Sequence, residues 1–187
     1  SLKNARFLIQ DDYHHVNWEI PKANLTYRHT LLKHAIVGDV TLKNNAKPLV
    51  VTFNAHWRRK SSKMNLELSV ADLKPSALNI VGNYAFLKNV SVPVSLTTNA
   101  VINLKLLKKN AKKSLLNALE KIEFHLAAKS GALDLPAPVV AKYDVRTFAL
   151  DAVWYDRGDK FDVTRFALDL KSGGEASGSI NVSGLAK

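Results

Sequence analysis

Six histidines and sixteen Asp and Glu residues are the side chains of this 187-residue chain that could bind a metal or move a proton. Their spacing supports neither role. His14 and His15 are adjacent, and adjacent side chains of an extended strand point to opposite faces. His29 and His34 flank a turn, while His56 and His125 stand alone. No H-E-x-x-H or comparable ligand spacing occurs, so these read as turn and surface histidines. Asp11, Asp12, Asp156 and Asp159 fall at turns, where Asp bonds its own backbone. Ser177-Gly178-Ser179 lies inside a strand, not on the strand-to-helix elbow that a serine nucleophile needs. There is no phosphate-cradling glycine loop and no dinucleotide fingerprint. Without Cys, thiolate chemistry and disulfides are excluded. The expectation is a chain that is not an enzyme, with no catalytic, metal or cofactor-binding residues.

The formal net charge of +11 favours anionic partners such as nucleic acid, phospholipid headgroups or lipopolysaccharide. The Lys residues are scattered, which equally describes a solvated surface. Arg58-Arg59-Lys60 beside Trp57 could hold phosphates and stack a base, but Trp57 fits the apolar face of its strand. The basic stretch 105–121 could lie on an anionic membrane. Its narrow apolar side favours packing on a sheet.

The elements that must carry these residues are strands. Hydrophobic residues make up 47% of the chain and are spread along its length, so one sizeable core in one domain is expected. The organising stretch is Tyr143–Val182. Phe148, Leu150, Ala152 and Trp154 alternate onto one face, and Asp156-Arg157-Gly158-Asp159 turns the chain. Phe161 and Val163 return, then the phase slips by one residue to Phe166, Leu168 and Leu170. Gly173-Gly174 leads into Ala176, Gly178, Ile180 and Val182. The N-terminus repeats this grammar. Trp18 and Ile20 precede a slip at Pro21-Lys22, followed by Ala23, Leu25 and Tyr27. Such a slip predicts a bulge, which bends a strand, and two copies predict bulged-hairpin units near 5–42 and 143–185.

Between them, Ile36–Leu42, Leu49–Trp57 and Met64–Val70 alternate as a meander of hairpins. A short helix is expected from Lys74-Pro75 and another over Asn110–Leu119. Val92 to Leu106 alternates without a break and predicts a strand of about 50 Å. Ile122–Ala128 and Leu133–Leu135 follow as strands. The fold class expected is mainly β: an elongated, curved, taco-like or partly open antiparallel sheet with one or two short helices. A sheet face must be buried against something. Either it packs on itself as a sandwich or partial barrel, or it wraps a long apolar ligand. Acyl chains would need no polar motif to be held there.

The chain resembles the AsmA-like proteins of Gram-negative envelopes, in particular the YhdP-type central region and more distantly TamB. The resemblance is carried by Asn4-Ala5-Arg6-Phe7 running into Asp11-Asp12, by Ala23-Asn24-Leu25, and by Ala71-Asp72-Leu73-Lys74-Pro75. It continues through Pro93-Val94-Ser95-Leu96, Ala128-Lys129-Ser130-Gly131-Ala132-Leu133 and Ser177-Gly178-Ser179-Ile180-Asn181-Val182-Ser183-Gly184. Lys74 departs from the family's usual Asp cap, and the segment Leu107–Leu119 is longer than usual. The resemblance implies that residues 1–187 are one β-rich segment of a larger, inner-membrane-anchored periplasmic protein. Such a segment would offer an apolar groove that conducts phospholipids between inner and outer membranes and helps maintain the outer membrane. The partners implied are phospholipid or another acyl-chain lipid, and membranes through the parent protein, with no nucleic acid. The opening Ser1-Leu2-Lys3-Asn4, without Met, fits a processed or excised piece.

The groove residues expected are Val94, Leu96, Ile102, Leu104, Phe148, Leu150, Trp154, Phe166, Leu168, Ile180 and Val182. The alternative is a self-packed β-rich interaction module whose basic surface binds lipopolysaccharide or nucleic acid.

Overall fold

Alternating residues form strands because one side of each strand can then be shared as a continuous apolar face. The computed structural model describes residues 1–11, 16–42, 48–75, 91–109, 118–135, 141–155 and 159–184. The first five strands are β1 (Leu2–Asp11), β2 (Val16–His29), β3 (Lys33–Leu42), β4 (Leu49–Arg58) and β5 (Lys63–Leu73). After β6 (Val94–Asn103) comes a short helix, α1 (Leu104–Lys109). Then follow β7 (Leu119–Ala128), β8 (Gly131–Leu135), β9 (Ala141–Tyr155), β10 (Lys160–Leu170) and β11 (Glu175–Ser183).

All eleven strands belong to one antiparallel sheet in the order β1-β2-β3-β4-β5-β6-β7-β9-β10-β11. Neighbours in sequence are neighbours in space, as short connections between antiparallel strands dictate. The exception is local. β9 is fifteen residues long, and its second half pairs with β7 while its first half pairs with β8. The sheet is open, with β1 and β11 at its edges, and does not close into a barrel.

The phase slips appear as register shifts. Phe7 pairs with Ile20 but Ala5 with Ala23, which leaves an extra residue on β2 at Pro21–Lys22. Val163 pairs with Ile180 but Phe166 with Gly178, which leaves one on β10 at Thr164–Arg165. Two further bulges carry non-glycine residues in the left-handed region, Asn4 (φ 53°) and Asp72 (φ 52°). Asn and Asp tolerate that region better than other side chains. The bulge at Asn4 is held by its N–H, which donates to Asn24 Oδ1 at 3.0 Å.

One expected element is corrected. The strand predicted from Val92 to Leu106 ends at Asn103, and Leu104 begins α1. Asn103 causes the change. Its Oδ1 accepts from the N–H groups of Lys105 (3.1 Å) and Leu106 (3.3 Å), the contacts of an N-cap. This helix, α1, lies before the segment expected to be helical. Of the helix expected over Asn110–Leu119, residues 110–117 lie outside the described residues, and Leu119 opens β7. The helix expected after Pro75, most of the Asp11–His15 turn and residues 156–158 also lie outside them.

Candidate functional site

Cross-strand partners share a face, so the register shows what each side of the sheet presents. One row runs Leu2, Leu25, Gly38, Phe53, Leu68, Thr98, Phe124, Ala152, Val163 and Ile180 from β1 to β11. The adjoining row carries Ala23, Val40, Val51, Val70, Leu96, Leu126, Leu150 and Phe166. On its other side lie Ile36, Ala55, Leu66, Ala100, Ile122, Trp154, Phe161 and Val182. With Tyr27, the β2 partner of Ile36, the three rows contain two hydroxyls, those of Tyr27 and Thr98, and no charge. Ten strands side by side at about 4.8 Å make this apolar face about 43 Å long across the strands.

The reverse face is polar. Thr52, Ser69, Thr97 and His125 form one row, and Asn54, Glu67, Asn99 and Glu123 the next. Polar contacts and ion pairs mark it. Arg165 Nε lies 2.7 Å from Asp151 and Lys121 Nζ 2.5 Å from Glu123, and His125 Nδ1 lies 3.1 Å from the Asp151 carboxylate. These pairs are exposed or half-buried, so each contributes modestly. Their value is in marking which side faces water.

Among the described residues, the apolar face is packed at its two ends and thinly covered between them. Val92, Val94, Ala128 and Val145 form one buried cluster, with Leu73, Phe148 and Leu168 against it. Ala100, Ile102, Ala118 and Leu119 form the other, with Leu106 and Leu107 of α1 packed on it. Between them Leu96, Phe124 and Leu150 in the middle of the sheet are only half-buried, beside the small, buried Ala152. A second sheet packed over them would shield them fully.

Toward the β2–β3 turn this face ends in a ladder of rings. Trp57 stacks on His34 (centroids 5.1 Å apart), His34 on Tyr27 (6.1 Å), and Tyr27 on His29 (5.7 Å). The Tyr27 hydroxyl lies 2.7 Å from His34 Nδ1. Trp57 is therefore spent on the sheet's own face, and His29 and His34 are stacked rings. Among the described residues, no group of three or more His, Asp or Glu could hold a metal ion.

The expected groove residues are divided by this geometry. Leu96, Leu150 and Phe166 meet in one row, and Phe148 and Leu168 are partners beside it. Trp154 and Val182 both flank Phe161. Ile180 is 61% exposed on the edge strand. Val94 and Ile102 are on the same side but are consumed by the two buried clusters. Leu104 belongs to α1 and is not on a strand. Leu25, Phe53, Leu68, Phe124 and Leu126 lie outside the expected groove set, yet they complete the rows. Their signal was the same alternation, and only the register shows that they join one line.

No family model, no curated protein and no solved structure matches this chain.

Proposed function

We propose that this chain is a non-enzymatic, lipid-conducting segment of an AsmA-like periplasmic protein, its apolar face forming a groove for phospholipid acyl chains. The observation that supports this reading is the uncharged face running across ten strands, backed by a polar face. Each acyl methylene that leaves water on such a face contributes about 0.8 kcal/mol, so affinity needs no polar motif. The half-buried state of Leu96, Phe124 and Leu150 is what a wall awaiting a ligand would show, and what a finished core would not. The edge strands β1 and β11 would let further strands extend the same groove in a longer protein. The inner-membrane anchor, transport between inner and outer membranes, and the periplasmic location rest on the resemblance described above.

The test is a charge placed in the middle of the row. Leu96→Asp and Leu126→Asp should abolish uptake of a fluorescent phospholipid by the folded chain, while Thr97→Asp on the polar face leaves it unchanged. Equal uptake by all three variants would exclude the apolar face as the lipid path.

A further inference from the structure

Among the described residues, exposed positive charge gathers along one rim of the sheet. This rim is built from the β2–β3 turn, the β4–β5 turn, α1 and the adjoining ends of β7, β9 and β10. It carries Arg28, Lys33, Arg58, Arg59, Lys60 and Lys105, all exposed and without an ion pair among the described residues. Its described acidic residues are Glu120 and Asp159, and Glu120 already binds Lys63 (2.7 Å) and Asn103 (2.8 Å). The opposite rim instead mixes Asp72, Asp134 and Glu175 with Lys74, Lys129, Lys142 and Lys171. On the basic rim Lys33 and Arg58 are direct cross-strand partners. Like charges in that position repel until an anion shields them.

The same rim exposes two large aliphatic side chains. Leu31 and Leu32, at the tip of the β2–β3 turn, are 84% and 75% exposed. The turn that presents them is well tied. The Thr30 N–H donates to the Lys33 carbonyl at 2.8 Å, and Thr30 Oγ1 accepts from the Lys33 N–H at 3.1 Å. The Arg59 N–H donates to the Leu32 carbonyl at 2.9 Å, joining this turn to the neighbouring basic one. Beside them the polar face is hollowed into an open cavity of about 720 Å³, lined in part by Lys33, Arg58, Ser61 and Lys63.

We propose that this rim docks on an anionic phospholipid bilayer, with Leu31 and Leu32 entering the interface and the flanking Lys and Arg side chains meeting headgroup phosphates. Two exposed aliphatic side chains at the very tip favour a bilayer over a nucleic acid. The rings beside the tip, Tyr27, His29 and Trp57, are stacked on one another or on His34 and present no free face for a base. The inference rests on the lipid-conducting reading, since a bilayer held at this rim lies beside the apolar face.

The experiment is co-sedimentation of the full chain with vesicles of phosphatidylcholine, with and without phosphatidylglycerol. Binding should require phosphatidylglycerol. It should fall about fivefold for each of Arg59→Ala and Lys60→Ala, and roughly tenfold for Leu31→Ser with Leu32→Ser, with the melting temperature of each variant unchanged. Equal binding to both vesicle types, no binding to either, or binding that survives the Leu31/Leu32 change while an oligonucleotide displaces it would overturn the proposal. Bound acyl chains are measured on the same samples by native mass spectrometry. Chains that hold lipid but do not sediment with vesicles overturn the docking alone. Chains that sediment with vesicles but never hold lipid overturn the groove alone.

Discussion

Phe148 and Phe166 meet edge to face on the apolar side of the sheet, with ring centroids 5.7 Å apart and planes at 75°. They belong to neighbouring strands, β9 and β10, and the contact lies just past the β10 bulge that follows Val163. The bulge turns Phe166 back onto the apolar side after an odd number of residues. Without it, Phe166, Leu168 and Leu170 would all face the polar side.

Replacing Phe166 by Ala should therefore weaken the fold and shorten the apolar wall together. The edge-to-face pair adds about 0.5–1.5 kcal/mol to the area the ring buries. For a half-buried ring, a total loss of about 2–3 kcal/mol is expected in urea unfolding. Phe166→Leu should recover the burial but not the ring pair, and so fall between the two.

Gly38 is the one gap in the longest apolar row, and the Phe53 ring fills it. A methyl at Gly38 would lie 2.8 Å from Phe53 Cζ and would also strike the Asn24 carbonyl. Gly38→Ala should cost about 1–3 kcal/mol, as overpacking does. Combining it with Phe53→Leu should restore only part of that loss, because the Asn24 clash is with backbone. Full restoration in the double variant would show that the ring alone sets the requirement for glycine.

Asp72 holds its left-handed conformation within the β5 bulge. A β-branched residue there pays the full steric cost of that conformation. Asp72→Val should lower stability by about 1–2 kcal/mol, whereas Asp72→Gly should leave it within about 0.5 kcal/mol. Equal losses for Val and Gly would mean that the carboxylate, and not the backbone, holds the bulge.

These residues also show what the amino-acid order makes legible. Phe148, Leu150, Ala152 and Trp154 could be placed on one face because a half-covered strand repeats every two residues. The slips at Pro21 and after Val163 could be read as bulges because they break that period. The jump from Val70 to Leu73 is the same signal, but it lies so close to Pro75 that it reads as the approach to a helix. Leu104 departs from the pattern of its neighbours for a physical reason. Ile102, Leu104 and Leu106 fit the two-residue period, and only the Asn103 side chain, capping the next turn, ends the strand. The joining of Phe53, Leu68 and Phe124 in one row depends on register. Register is a relation between strands, which the order of residues within each strand does not carry.

Whether lipid occupies the apolar face is tested most directly by native mass spectrometry of the full chain, gently purified and incubated with phospholipid vesicles. The account predicts adducts of phospholipid mass that persist at high salt, because apolar burial is not screened as surface charge is, and that disappear in Leu96→Asp. A chain that shows only its bare mass under the same conditions, while remaining folded, would contradict it.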